Sequence, residues 1–159
     1  MRFTHMDEAG KIKMVDVSEK AATQRRAVAA GEVRCSTDTV RRIVEMNVKK
    51  GDVFAAARIA GILAAKKTPE LIPLCHSIPL DSVEVEISAD VDGGLVSVTA
   101  TAGTFGKTGV EMEALVAVSG ACLCIYDMCK AADKSMVVGN IRLLRKSGGQ
   151  SGEYVREER

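Results

Sequence analysis

Alternating and helically spaced apolar residues follow one another along the chain in an order that predicts its fold. Over residues 25–34, Ala27, Ala29, Gly31 and Val33 alternate with Arg26, Val28, Ala30, Glu32 and Arg34. This is strand spacing, ragged because Val28 and Ala30 are also apolar. Ser36-Thr37-Asp38 then opens a helix, with Ser36 or Thr37 as N-cap, and Val40, Ile43, Val44 and Val48 follow at helical spacing. Lys49-Lys50-Gly51-Asp52 breaks that helix, and Asp52 caps a second over residues 53–65 whose only charge is Arg58. A helix apolar all round needs cover on more than one side. Pro69 and Pro73 end the helical region, and Leu74-Cys75-His76-Ser77-Ile78-Pro79 follows as a stiff loop.

Val83, Val85 and Ile87 alternate with Ser82, Glu84 and Glu86, the cleanest strand pattern in the chain. Asp92-Gly93-Gly94 supplies a turn, and Leu95, Val96, Val98, Ala100 and Ala102 carry a second strand back as a hairpin. A long helix is predicted over residues 109–132. Leu115, Val118, Cys122, Ile125 and Cys129 form its main stripe, while Val116, Gly120 and Leu123 make a second small or apolar side. Met136-Val137-Val138 and Ile141 to Leu143 form a last strand, followed by a loop from Ser147 to Gly152 and a charged tail. Strand, helices, strand, strand, helix, strand is the βαββαβ order of a ferredoxin-like α+β sandwich, an antiparallel sheet with helices on one face. We expect a single domain over residues 1–159, with an N-terminal arm over 1–20 and a flexible C-terminal tail over 147–159.

Composition narrows the class. With 159 residues the chain builds one core, and with 3% aromatics that core must use Ala, Val, Ile, Leu, Met and Cys. Basic and acidic residues number 22 and 21, so bulk charge gives no attraction to nucleic acid or to an anionic membrane. The polar first residues and the shortness of the 53–65 apolar run predict a cytosolic protein with no membrane span. Five cysteines without a Cys-x-x-Cys predict reduced thiols rather than a disulfide framework or a zinc site.

Each candidate for chemistry has an ordinary reading beside the functional one. Lys50, before a helix N-terminus, is a phosphate binder or proton donor, or a solvated turn lysine. His76, between two prolines, is an acid–base group or a histidine bonded to a nearby carbonyl. Phe105-Gly106-Lys107-Thr108-Gly109 lacks the glycine of a nucleotide-hydrolase P-loop, because Thr101 stands there. Glu111 and Glu113 compensate a helix dipole, and being two apart they share no helix face, so either one precedes the regular helix or they face different surroundings. Asp127 and Lys130, three apart, share a face as an exposed ion pair or as part of an interface pocket. Glu113 and Asp127 lie ~21 Å apart along an ideal helix, so a small substrate cannot touch both from one helix unless other parts fold over, and we expect sites completed across subunits.

Taken in order, several stretches match one family. They are Met14-Val15-Asp16-Val17-Ser18, Lys50-Gly51-Asp52-Val53, Ala57-Arg58-Ile59-Ala60-Gly61 and Leu71-Ile72-Pro73-Leu74-Cys75-His76. Further on come Thr108-Gly109-Val110-Glu111-Met112-Glu113-Ala114-Leu115, Ile125-Tyr126-Asp127-Met128-Cys129-Lys130-Ala131 and Lys146-Ser147-Gly148-Gly149. The chain resembles the MoaC family of molybdenum cofactor biosynthesis, the cyclic pyranopterin monophosphate synthases. The resemblance implies a lyase that converts a cyclised GTP-derived pterin precursor, 3′,8-cyclo-7,8-dihydroguanosine 5′-triphosphate, to cyclic pyranopterin monophosphate and diphosphate. It implies a homo-hexamer, a trimer of dimers, with no metal or other cofactor assigned. Asp127, Lys50, Lys130, His76 and Glu111 are the implied catalytic residues. Leu74, Cys75, His76, Met112, Glu113 and Lys146 are the implied substrate contacts. Ser77 stands where the family commonly has proline, Gln150 where it has lysine, and Gly120, Cys122 and Cys124 replace other small or branched residues.

The rival reading is a non-catalytic ferredoxin-like module that binds RNA or a small molecule. RNA readers of this fold stack bases on sheet aromatics; residues 95–104 have none.

Overall fold

The computed structural model describes residues 10–150 and 152–157. The first nine residues of the predicted arm, and Ser151, Glu158 and Arg159 of the predicted tail, lie outside that range. Strand β1 (Thr23–Arg34) is followed by helices α1 (Thr37–Val44), α2 (Val53–Lys66) and the short α3 (Thr68–Leu71). The hairpin β2 (Ser82–Asp90) and β3 (Leu95–Gly106) comes next, then α4 (Glu111–Cys129), β4 (Val137–Ser147) and β5 (Tyr154–Val155).

The strands form one sheet in the order β2-β3-β1-β4-β5, with every neighbouring pair antiparallel. Four of the strands thus carry the ferredoxin-like arrangement that the element order predicted. Ala27, Ala29, Gly31 and Val33 of β1 and Val96, Val98, Ala100 and Ala102 of β3 turn one face toward the helices and are buried. Ser82, Glu84, Glu86 and Ser88 of β2 are exposed, on the opposite face that strand alternation gives them.

Small residues set the spacing of the layers. A Cβ added at Gly31 would lie 2.6 Å from Val118 Cγ1, so α4 lies directly on β1. A Cβ at Gly61 would lie 2.9 Å from the Ala117 carbonyl oxygen, and one at Gly120 2.6 Å from Ala64 Cβ, so α2 packs equally close on the other side of α4. This answers most of the two-sided apolar pattern of α4: the sheet lies on the Val118 and Cys122 side and α2 covers Gly120 with Ala117 and Ala121, while Leu123 of the predicted second side stays exposed. By length and composition α4 would also pass as a membrane-crossing helix. Its place between sheet and α2 makes it the central core helix.

Several boundaries differ from the pattern-based ones. Ser36 is the N-cap of α1, its hydroxyl accepting from Thr39 N–H, and Asp52 caps α2 by accepting from Ala55 N–H. Helix α1 ends at Val44, and Met46 at φ 55° turns the chain before Val48. Pro69 starts α3 rather than ending the helical region, because proline fits the first turn, where no N–H bond is lost. The two halves expected for the last strand are one strand with a bulge, Asn140 taking φ 53° beside a register shift between Ala30 and Glu32. Ser147 still belongs to β4. Within the expected flexible tail, Tyr154 and Val155 pair with Lys146 and Arg145, and Arg145 Nε donates to Glu153. Helix α4 stops at Cys129, so Lys130 is its C-cap and Lys134 lies beyond it.

Candidate active site

The turn between α1 and α2 delivers Lys50. Gly51 N–H donates to Val48 O at 2.9 Å, Gly51 takes φ 94°, and Asp52 starts the next helix. Lys50 Nζ then reaches the end of α4, where it donates to Asp127 Oδ2 and to the Asp127 carbonyl oxygen, both at 2.8 Å. Lys130 Nζ lies 2.6 Å from Asp127 Oδ1. One carboxylate thus bridges two ammonium groups in a half-exposed position. The hydrogen bond from Lys130, then that from Lys50, holds the Asp127 carboxyl at about 2, and Asp127 in turn raises the Lys130 pKa. Asp127 is therefore a fixed anion at neutral pH, and the pair of lysines presents oriented N–H donors.

The start of α4 carries a second cluster. Glu111 faces Lys146 of β4 at 3.0 Å. Glu113 turns inward and is only 3% exposed. Burial pushes its pKa up, and the nearby Glu111 charge adds to the rise. Both acids lie within α4 and face different surroundings, one of the two outcomes their spacing allowed. Burial also raises the Cys75 pKa, with the Glu113 charge as the second cause, which places Cys75 beside that acid. His76, on the same loop, bonds the Val15 carbonyl oxygen through Nε2 at 2.7 Å. A carbonyl only accepts, so Nε2 carries a proton in this contact. Leu74 and Met112 are partly buried.

Beside Glu111 and Lys146 opens a cleft of about 180 Å³ lined also by Lys20, Arg25, Arg26 and Lys107. Arg25 is buried and donates to the carbonyl oxygens of Gly106 and Lys107, both at 3.2 Å. Lys107 Nζ donates to Ser18 O at 2.6 Å. Lys20, Arg25, Arg26 and Lys107 were not among the residues singled out from the sequence. Lys107 stood in the failed P-loop match and Arg25 in a strand that alternates raggedly, and neither pattern signals a basic cleft.

The structure therefore brings Lys50, Asp127 and Lys130 together. Glu111 and Lys146 meet at the other end, where Glu113 lies beside Cys75 of the His76 loop. It does not bring the two groups to one another: Glu111 and Asp127 are sixteen residues apart on a continuous helix, ~24 Å. Among the described residues no three His, Cys, Asp or Glu side chains are placed to hold a metal ion.

The fold and the site define a ferredoxin-like α+β protein with lysine–carboxylate ion pairs at both ends of its central helix. The chain belongs to the MoaC family: the family model matches residues 14–149. It is 56% identical over 155 residues to a protein of Roseiflexus sp. (strain RS-1), covering 98% of each chain. It is 56% identical over 156 residues to one of Heliobacterium modesticaldum, again covering 98% of each. A Thermoanaerobacter pseudethanolicus protein is 51% identical over 157 residues, 99% of both. All three carry the name cyclic pyranopterin monophosphate synthase. Nothing in these relatives supports the non-catalytic alternative.

Proposed function

We propose that the chain converts 3′,8-cyclo-7,8-dihydroguanosine 5′-triphosphate to cyclic pyranopterin monophosphate and diphosphate, a step of molybdenum cofactor biosynthesis. The observation that carries the proposal is the Lys50–Asp127–Lys130 bridge, within a chain similar from end to end to the synthases above. Closing the cyclic phosphate needs a hydroxyl oxygen to attack phosphorus while the bond to diphosphate breaks. The hydroxyl proton must pass to a base and the departing anion must be met by cations. Lys50 and Lys130 supply the cations, and Asp127 aims them. Glu113, whose pKa burial raises, and His76 on the neighbouring loop are the groups this reading assigns to proton exchange. Glu111 and Lys146 hold one wall of the basic cleft beside them.

The separation of the clusters supports a shared site. In this reading the Asp127 end of one protomer meets the Glu111–Glu113 end of another in a homo-hexamer, a trimer of dimers. Ile59 and Leu63 on α2 and Leu123 on α4 are exposed apolar side chains available to that contact. The assembly acts in the cytosol.

Incubation with the cyclised nucleotide tests the reaction. Diphosphate release is expected from the wild type, and a fall of about 100-fold or more in Lys50→Ala and in Asp127→Ala. Undiminished release in both variants would remove these residues from the site.

A further inference from the structure

Asp133 lies just beyond α4 and joins none of the ion pairs above. It is 8% exposed, yet four protein donors surround its carboxylate. Oδ1 accepts from the Ser135 hydroxyl at 2.6 Å and from Ser135 N–H at 3.0 Å. Oδ2 accepts from Ser36 N–H at 2.9 Å and from the Thr39 hydroxyl at 3.3 Å. The Ser135 hydroxyl bond, then the Ser36 N–H bond, holds the carboxyl at about 2, so it is charged at any working pH.

Capping alone does not account for this arrangement. The Ser36 hydroxyl already caps α1 by accepting from Thr39 N–H at 3.2 Å. The carboxylate instead joins two segments that both lead to the Asp127 site. One is the turn that begins at Lys130, itself anchored by Lys130 N–H to Tyr126 O at 2.8 Å and Asp133 N–H to Cys129 O at 3.1 Å. The other is the start of α1, whose far end runs into the turn carrying Lys50. Among the described residues, the other side-chain tie across that turn, from the Tyr126 hydroxyl to Lys134 O, is long at 3.5 Å. Lys130 and Lys50 are exposed and meet Asp127 through flexible side chains, so their aim depends on where these two backbones are held.

We propose that Asp133 is a positioning residue for the Lys50–Asp127–Lys130 site, clamping the turn that carries Lys130 to the helix that leads to Lys50. The inference rests on the functional reading of that site, and its test separates the two. Asp133→Asn keeps the shape but turns an amide donor toward groups that donate; Ser135→Ala removes only the shortest bond and serves if the first variant fails to fold.

In each full-length protein, the acylation rate of Lys130 by acetic anhydride at neutral pH is read by peptide mass spectrometry against Lys66, and kcat and KM are read from diphosphate release. Loosening the Lys130–Asp127 pair lets Lys130 deprotonate more readily. Lys130 reactivity is expected to rise about 3-fold or more in Asp133→Asn and less in Ser135→Ala, with Lys107 unchanged. In parallel kcat should fall about 10-fold while KM stays within about 3-fold, the sign of a misaimed rather than a missing group. A folded variant with a lower Tm but wild-type Lys130 reactivity and kcat would reduce Asp133 to a stabilising residue and overturn the proposal. A wild type that releases no diphosphate would instead sink the functional reading, and Lys130 reactivity would still decide the positioning role.

Discussion

Asp127 and Glu113 are two carboxyls on one helix whose surroundings drive them in opposite directions. Two lysines pull Asp127 down to about 2. Its folded value is depressed, so its ion pairs contribute above the ordinary carboxyl pKa of about 4 and are lost as pH falls through about 2. A pH–rate profile should accordingly show no acid limb from Asp127 above about pH 4. Glu113 is raised, chiefly by burial. A raised carboxyl binds its proton more tightly when folded, so its burial costs nothing at acidic pH and destabilises as pH rises through the raised value. Glu113→Gln should therefore melt a few degrees higher than the wild type at neutral pH and lose that gain in acid, while diphosphate release falls about 10-fold or more. Thermal melts at the two pH values check the first part, and a melt unchanged at neutral pH would contradict it. The Asp127–Lys130 pair was legible from i,i+3 spacing. The place of Lys50 beside them was not, because a side chain that crosses from the α1–α2 turn to the end of α4 leaves no periodic trace; its position before a helix left a phosphate binder and a solvated turn lysine both open, and only the resemblance joined it to Asp127. Asp133 was missed because a lone acid after a helix looks like any solvated turn residue.

Helices α2 and α4 meet through glycines rather than through interlocking large side chains. Gly61→Ala would gain about 1 kcal/mol of helix propensity. The new Cβ, however, would stand 2.9 Å from the Ala117 carbonyl oxygen, 3.1 Å from Val85 Cγ2 and 3.3 Å from Ala121 Cβ. Overpacking of this kind costs ~1–3 kcal/mol, and a backbone oxygen does not yield cheaply, so the net change should be destabilising. Urea unfolding checks the sign, and a stabilised variant would mean that the two helices separate more easily than their packing suggests. Strand alternation revealed β2 and most of β3, and the acid or hydroxyl before each apolar run revealed the caps of α1 and α2. The bulged β4 was split by Gly139-Asn140, a pair that reads as a turn until pairing with β1 carries the strand across it. Strand β5 had no pattern to read, since two residues are too few to alternate and only pairing with Arg145 and Lys146 defines it.

At the scale of the whole molecule, the apolar character of both sides of α4 foretold cover on both, and one chain supplies most of it while leaving Leu123 exposed. The charged ends did not resolve in the same way, since α4 is continuous over 19 residues and keeps the two clusters apart. A second protomer is the economical way to unite them. Lys50→Ala and Glu113→Gln damage opposite ends of α4, and neither alone should release diphosphate at more than about a tenth of the wild-type rate. If each site takes Lys50 from one protomer and Glu113 from another, co-refolding the two variants in equal amounts restores some sites with both residues intact. Diphosphate release by the mixture should then recover to roughly a quarter of the wild-type rate, as random pairing across a shared site requires. A mixture no more active than its two components would contradict the shared site.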